Sequence, residues 1–124
     1  MSAPERIDPT AQAVRERANA AREQIAAESF DLRRVLSLVE RFAAMGFQQV
    51  CVVPQRAMCL THTEAAKRTS KELDDLGYCV TWETALYRQQ DKRNPTGVPS
   101  LMASMVISWE RKIGYLNRSN LRKV

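Results

Sequence analysis

The sequence predicts a two-layer α+β domain, with helices on one face of a small three-stranded sheet and the order α-α-β-α-β-β. Three observations predict it. Apolar residues recur at helical spacing over 32–42 and again over 65–76. Residues alternate with a period of two over 78–87 and 101–109, separated by a polar loop, as in a long-looped antiparallel hairpin. Between the helical stretches, Val50 to Val53 form a β-branched run ended by Pro54, which reads as a short buried strand. The chain of 124 residues is one domain by size, able to enclose one hydrophobic core. Its 44% hydrophobic and 27% charged residues are ordinary for a globular protein.

The first element, "IDPTAQAVRERANAAREQIAAES", opens with Asp8 as a candidate N-cap and Pro9 at the first helical position. Strong helix formers follow, but Val14 and Ile25 are its only large apolar residues, so it reads as a solvated or partner-facing extension. In the second, Asp31 caps; Leu32, Val35, Leu36, Val39 and Phe42 share a face; Gly46 ends the helix. The path through 29–31 is open to a kink between two helices or to one continuous helix. After the Val50–Val53 strand and the "QRAMCL" connector, Thr61 is the expected N-cap of the third helix. Glu64 completes a capping box and Leu60 staples against Ala65. Ala65, Ala66, Thr69, Leu73 and Leu76 face inward, and Gly77 stops the helix. In the hairpin, Tyr78, Val80, Trp82, Thr84 and Leu86 point one way, as do Leu101, Ala103, Met105, Ile107 and Trp109. Trp82 and Trp109 are expected in the core, each burying on the order of 200 Å2, with an exposed aromatic contact surface as the alternative.

The domain organisation that follows is an N-terminal helical extension over 1–30, an α+β core over 31–110 and a basic tail over 111–124. No run approaches the ~20 apolar residues of a bilayer span, and the first ten residues lack the apolar stretch of a signal peptide. Cys51, Cys59 and Cys79 are odd in number and contain no C-x-x-C pair, as expected of reduced and mostly buried thiols.

The turn Leu76-Gly77-Tyr78 in "TSKELDDLGYCV" and the strand end Ile107-Ser108-Trp109 in "MVISW" resemble small, uncharacterised virion or accessory proteins of tailed bacteriophages. The resemblance covers about residues 30 to 110. It implies a virion or accessory role without assigned catalysis, located in the virion or the host cytoplasm, and carries over no functional residue.

Catalytic patterns are weak. His62 is the single histidine, which with these cysteine spacings does not make a zinc site. Cys59 stands three residues before it near a helix start, a possible thiolate–imidazole pair without an orienting third group. The four glycines are isolated, so no phosphate-cradling loop exists. Asp74 and Asp75 are adjacent and read as solvated surface. No enzyme activity and no cofactor are expected.

Charge is the remaining signal. Residues 1–30 carry net −1, residues 31–87 net 0, and residues 88–124 eight basic against two acidic residues. A localised excess suits a localised partner of opposite sign. The candidate contact residues are Arg88, Lys92 and Arg93 at the hairpin loop, then Arg111, Lys112, Arg118, Arg122 and Lys123. The leading expectation is a non-enzymatic assembly or binding protein, a minor virion component whose partners are protein subunits, its own copies or others. The alternatives are a basic nucleic-acid-binding module and a small inhibitor of a host protein. No membrane partner is expected.

Overall fold

The computed structural model describes residues 9–110, with α1 at Ala11–Ser29, α2 at Leu32–Ala44, β1 at Gln49–Val52, α3 at Glu64–Asp75, β2 at Cys79–Tyr87 and β3 at Ser100–Ser108. This is the predicted α+β arrangement and element order. The sheet is antiparallel throughout and runs β1-β3-β2, so the last strand lies in the middle. Gln49 and Cys79 both lie opposite Ser108, and β2 continues to Tyr87 opposite Ser100.

Register explains the core. Val50, Ile107 and Val80 form one cross-strand row; Val52, Met105 and Trp82 form the next row but one, on the same face. These rows meet Phe30, Val35, Val39, Ala66 and Leu73 from the helices. Trp82 sits at an inward position, its ring edge-on to Phe30 with centroids 5.3 Å apart. Trp109 is half-buried against the same cluster.

Two helices end identically. After α2, the N–H of Phe47 bonds to Phe42 O and that of Gly46 to Ala43 O; after α3, Tyr78 bonds to Leu73 O and Gly77 to Asp74 O. Both are Schellman motifs, with Gly46 at φ 91° and Gly77 at φ 96° supplying the left-handed residue. The ring of Phe47 packs against Phe42 at 5.9 Å, which is the apolar contact this motif favours. The turns, of four residues after α2 and three after α3, thus reverse the chain and deliver each strand to the same end of the sheet.

The chain breaks between α1 and α2 at Phe30–Asp31, where Asp31 caps α2 by accepting from Arg34 N at 3.1 Å. The core begins in α1, at Ile25, Ala26 and Phe30, rather than at residue 31. A second tie comes from Glu23, whose carboxylate accepts from Glu64 N at 2.8 Å and Ala65 N at 3.3 Å. A negative side chain from one helix therefore caps the positive end of another. Isolated apolar residues in α1 could not signal a role exercised through one carboxylate and one terminal phenylalanine.

Several sequence expectations are corrected. Thr10, not Asp8, caps α1, accepting from Ala13 N at 3.2 Å, and the helix begins after Pro9; Asp8 lies outside the described residues. Thr63, not Thr61, caps α3. Thr63 Oγ1 donates to Leu60 O at 2.6 Å and accepts from Ala66 N at 3.2 Å, because burying Leu60 completely fixes a turn over 60–63 before the helix can start. The third residue of α3 is then Ala66, so Glu64 closes no capping box; Glu23 instead takes the N–H groups of Glu64 and Ala65. Leu76 is 60% exposed, having left the inner face at the helix end. Leu86 and Leu101 have the inward parity but are each 51% exposed, because β2 and β3 outrun the helices. Cys51 is exposed and Cys59 and Cys79 are half-buried, since strict alternation turns Cys51 away from the helices. The Cys51 thiol is pushed up from its ordinary pKa, chiefly by desolvation and also by the Glu83 charge, against a hydrogen bond from Ser104.

Candidate functional site

Because the turns after α2 and α3 occupy one end of the sheet, the other three connections gather at the opposite end. These are the α1–α2 joint, the connector 53–63 and the hairpin loop 88–99. Hydrogen bonds lace them together. Gln55 N donates to Ser29 Oγ at 3.0 Å, Ala57 N to Arg93 O at 2.9 Å and Arg93 Nε to Pro54 O at 3.1 Å. Arg22 donates from its guanidinium to Cys59 O.

The hairpin loop is long but internally braced. Asp91 Oδ1 accepts from Arg93 N at 2.8 Å and Asn94 N at 3.0 Å, the geometry of an Asx turn. Asn94, 5% exposed, donates to Gln89 O at 3.0 Å and Val98 O at 3.1 Å, so one amide spans the loop from both sides. Gln90 Nε2 reaches Pro95 O at 2.9 Å. Tyr87 Oη donates to the second oxygen of Asp91.

That last bond sets two opposite pKa displacements. The Tyr87 phenol is pushed up, first by its hydrogen bond to Asp91, then by desolvation and the Asp91 charge, with Arg93 opposing. The Asp91 carboxyl is held below the usual range, first by Tyr87, against desolvation, with the backbone N–H groups of Asn94 and Arg93 and the Arg93 charge also lowering it. The contribution of Asp91 is present above the unfolded carboxylate pKa and is lost as pH falls through its lowered folded value. The contribution of Tyr87 is present below the unfolded phenol pKa and is lost as pH rises through its raised value. The loop is therefore expected to be firmest through the neutral range and to loosen at both extremes. Amide exchange of 89–98 against pH tests this; Tyr87→Phe should remove a high-pH component of the tyrosinate absorbance, and an unchanged titration would refute the contact.

A groove of about 460 Å3 opens between α1, the connector and this loop. Arg22, Arg56 and Arg93 line it, over a floor that includes Ile25 and Met58 with Val98 at the rim, and neither Asp nor Glu is among its described lining residues. Beside it lies a shallower hollow of about 370 Å3 formed by Gln55, Asp91, Lys92 and Arg93. A third hollow, about 390 Å3 between α3 and β2, holds Lys67 and Lys71. Their charges are met by Glu64 at 3.9 Å and Asp75 at 3.3 Å, so the field there is balanced.

Of the residues the sequence singled out, Lys92 and Arg93 come together in this region, and Arg88 is exposed at the start of the loop, lining neither hollow. Arg111, Lys112, Arg118, Arg122 and Lys123 lie outside the described residues. Sequence reasoning missed Arg22 and Arg56, which sit in locally balanced segments and join Arg93 only through the fold. Cys59 Sγ lies 3.3 Å from Thr61 Oγ1, and His62 is exposed. Among the described residues no group of three or more His, Cys, Asp or Glu side chains is placed to hold a metal ion, and no helix is long and apolar enough to cross a membrane. Comparison with family models, with curated proteins and with solved structures finds no match to this chain.

Proposed function

We propose that this protein is a non-enzymatic assembly protein, a minor component of a bacteriophage virion, that holds a neighbouring subunit through the basic loop end of its α+β domain. The observation that carries this reading is the convergence of Arg22, Arg56 and Arg93 on one groove with no carboxylate among its described lining residues. Guanidinium groups suit protein carboxylates, which they grip in a bidentate fashion. The frame that presents them is braced by hydrogen bonds that join three separate connections. A surface of fixed shape and one sign of charge is suited to docking. The resemblance of the Leu76–Tyr78 and Ile107–Trp109 motifs to phage virion proteins supplies the setting.

Nucleic-acid binding is the alternative that the basic excess supports. The arginine groove counts against it, because no aromatic side chain is among its described lining residues to serve as a stacking platform for a base. Gradient sedimentation of particles from the producing cells separates the two. Co-sedimentation with protein shells that lack nucleic acid, reversed by high salt, is the expected result. A protein recovered only in free fractions, or bound only where nucleic acid is present, would overturn the assembly role.

A further inference from the structure

We infer that the groove formed by the second half of α1, the connector and the hairpin loop is a peptide-binding site for an extended acidic segment. Its carboxylates pair with Arg22, Arg56 and Arg93, and an aliphatic side chain between them rests on Ile25, Met58 and Val98. This rests on the docking role above and names its ligand.

Four observations lead there. First, two of the guanidinium groups are held from behind by backbone carbonyls, Arg22 by Cys59 O and Arg93 by Pro54 O. An arginine anchored through one N–H keeps its remaining donors aimed and loses little freedom when an anion arrives. Second, the ion pairs Lys67–Glu64 and Lys71–Asp75 do not involve these arginines. Arg93 shares its surroundings with Asp91, whose oxygens are engaged by Tyr87 Oη and by two backbone N–H groups. Asp91 stays ionised and offsets part of the Arg93 charge, but it does not line the groove, where Arg22 and Arg56 add two further positive charges. Third, the floor is aliphatic, and Val98 at the rim, a large apolar residue, is 63% exposed among the described residues. An inorganic anion would leave that floor wet, whereas an acidic peptide with a leucine or isoleucine covers it. Fourth, about 460 Å3 accommodates a few side chains but not a folded surface element, which fits an extended segment.

The test uses the full chain and fluorescein-labelled hexapeptides, blocked at both ends. One alternates Glu with Leu, the second replaces each Glu by Gln, and the third replaces each Leu by Ser. The Glu/Leu peptide should bind best. Losing the carboxylates should weaken binding by at least tenfold, and losing the leucines by a smaller but measurable factor. Arg56→Glu is the decisive variant, because its guanidinium makes only a 3.4 Å contact with Gln55 O, so the fold does not depend on it. It should lower affinity about tenfold or more, with Arg93→Ala close behind. Equal binding of the Glu and Gln peptides, or an affinity untouched by Arg56→Glu, would overturn the site. Displacement by inorganic phosphate at the peptide's own concentration would overturn it in favour of a phosphate site. A protein that joins particles yet ignores all three peptides refutes this inference alone. One that binds the Glu/Leu peptide yet never joins particles supports the groove and refutes only the virion role.

Discussion

Replacing Phe30 by alanine is expected to destabilise the domain by about 3–5 kcal/mol, the largest effect of any single truncation proposed for it. Phe30 is completely buried at the joint between α1 and α2. Its ring meets Trp82 edge-on at 5.3 Å, its N–H bonds to Ala26 O, and its carbonyl accepts from Thr69 Oγ1 at 2.7 Å. One side chain thus joins both N-terminal helices to the sheet, while its backbone is pinned by α3. Truncation leaves a cavity under Trp82 that a rigid three-element junction cannot close. Against a typical total of about 5–15 kcal/mol, the loss is a large fraction of stability. Urea unfolding should show a lowered midpoint with an unchanged slope, and Trp emission should report a wetter environment. Phe30→Leu, which keeps most of the volume, should cost less than about 1.5 kcal/mol. A shift below about 1 kcal/mol for the alanine variant would contradict the packing described.

The second large effect is local. Asn94→Ala removes two hydrogen bonds that close the 88–99 loop, leaving Gln89 O and Val98 O without the amide that joined them. Both carbonyl-bearing residues are exposed enough to find water, so the expected cost is about 2 kcal/mol rather than the full penalty of two orphaned groups. The loss should appear as roughly thirtyfold faster amide exchange at Asn94 and Gly97, whose N–H groups bond within the same turn to Asp91 and Asn94. Exchange in the paired region of β2 and β3 around Trp82 and Met105 should hardly change. Since Arg93 neighbours Asn94 and its carbonyl accepts from Ala57 N, looseness here also releases one wall of the arginine groove. Unaltered exchange in the loop would show that Asn94 is not its brace.

Much of the architecture was readable because it rests on local chemistry. Gly46 and Gly77 mark helix ends because only a left-handed residue completes those turns. The parity of Val80, Trp82, Met105 and Ile107 follows from pleating alone. What stayed hidden depends on where elements stop relative to each other. Leu86 and Leu101 keep the inward parity but stand beyond the helices, and Cys51 is exposed on the face of β1 turned away from the helices. The choice between Thr61 and Thr63 as a cap turned on the burial of Leu60, a tertiary matter. The candidate site was half legible. Charge counting found Lys92 and Arg93, but Arg22 and Arg56 lie 71 and 37 positions before Arg93 in segments of balanced charge. Topology held the missing signal, because two short helix-to-strand turns at one end leave every other connection at the opposite end.

The central place of β3 has a consequence for how the molecule forms during synthesis. β1 and β2 emerge first, yet neither can pair with the other; both wait for the strand that ends at Ser108. The β2–β3 hairpin is a local closure and can zip quickly. Joining Gln49 to Ser108 must loop out everything between them, including α3. Until the ribosome has passed Ser108, the nascent chain carries two unpaired strand edges at once, the interval in which it is most exposed to aggregation and most in need of a chaperone.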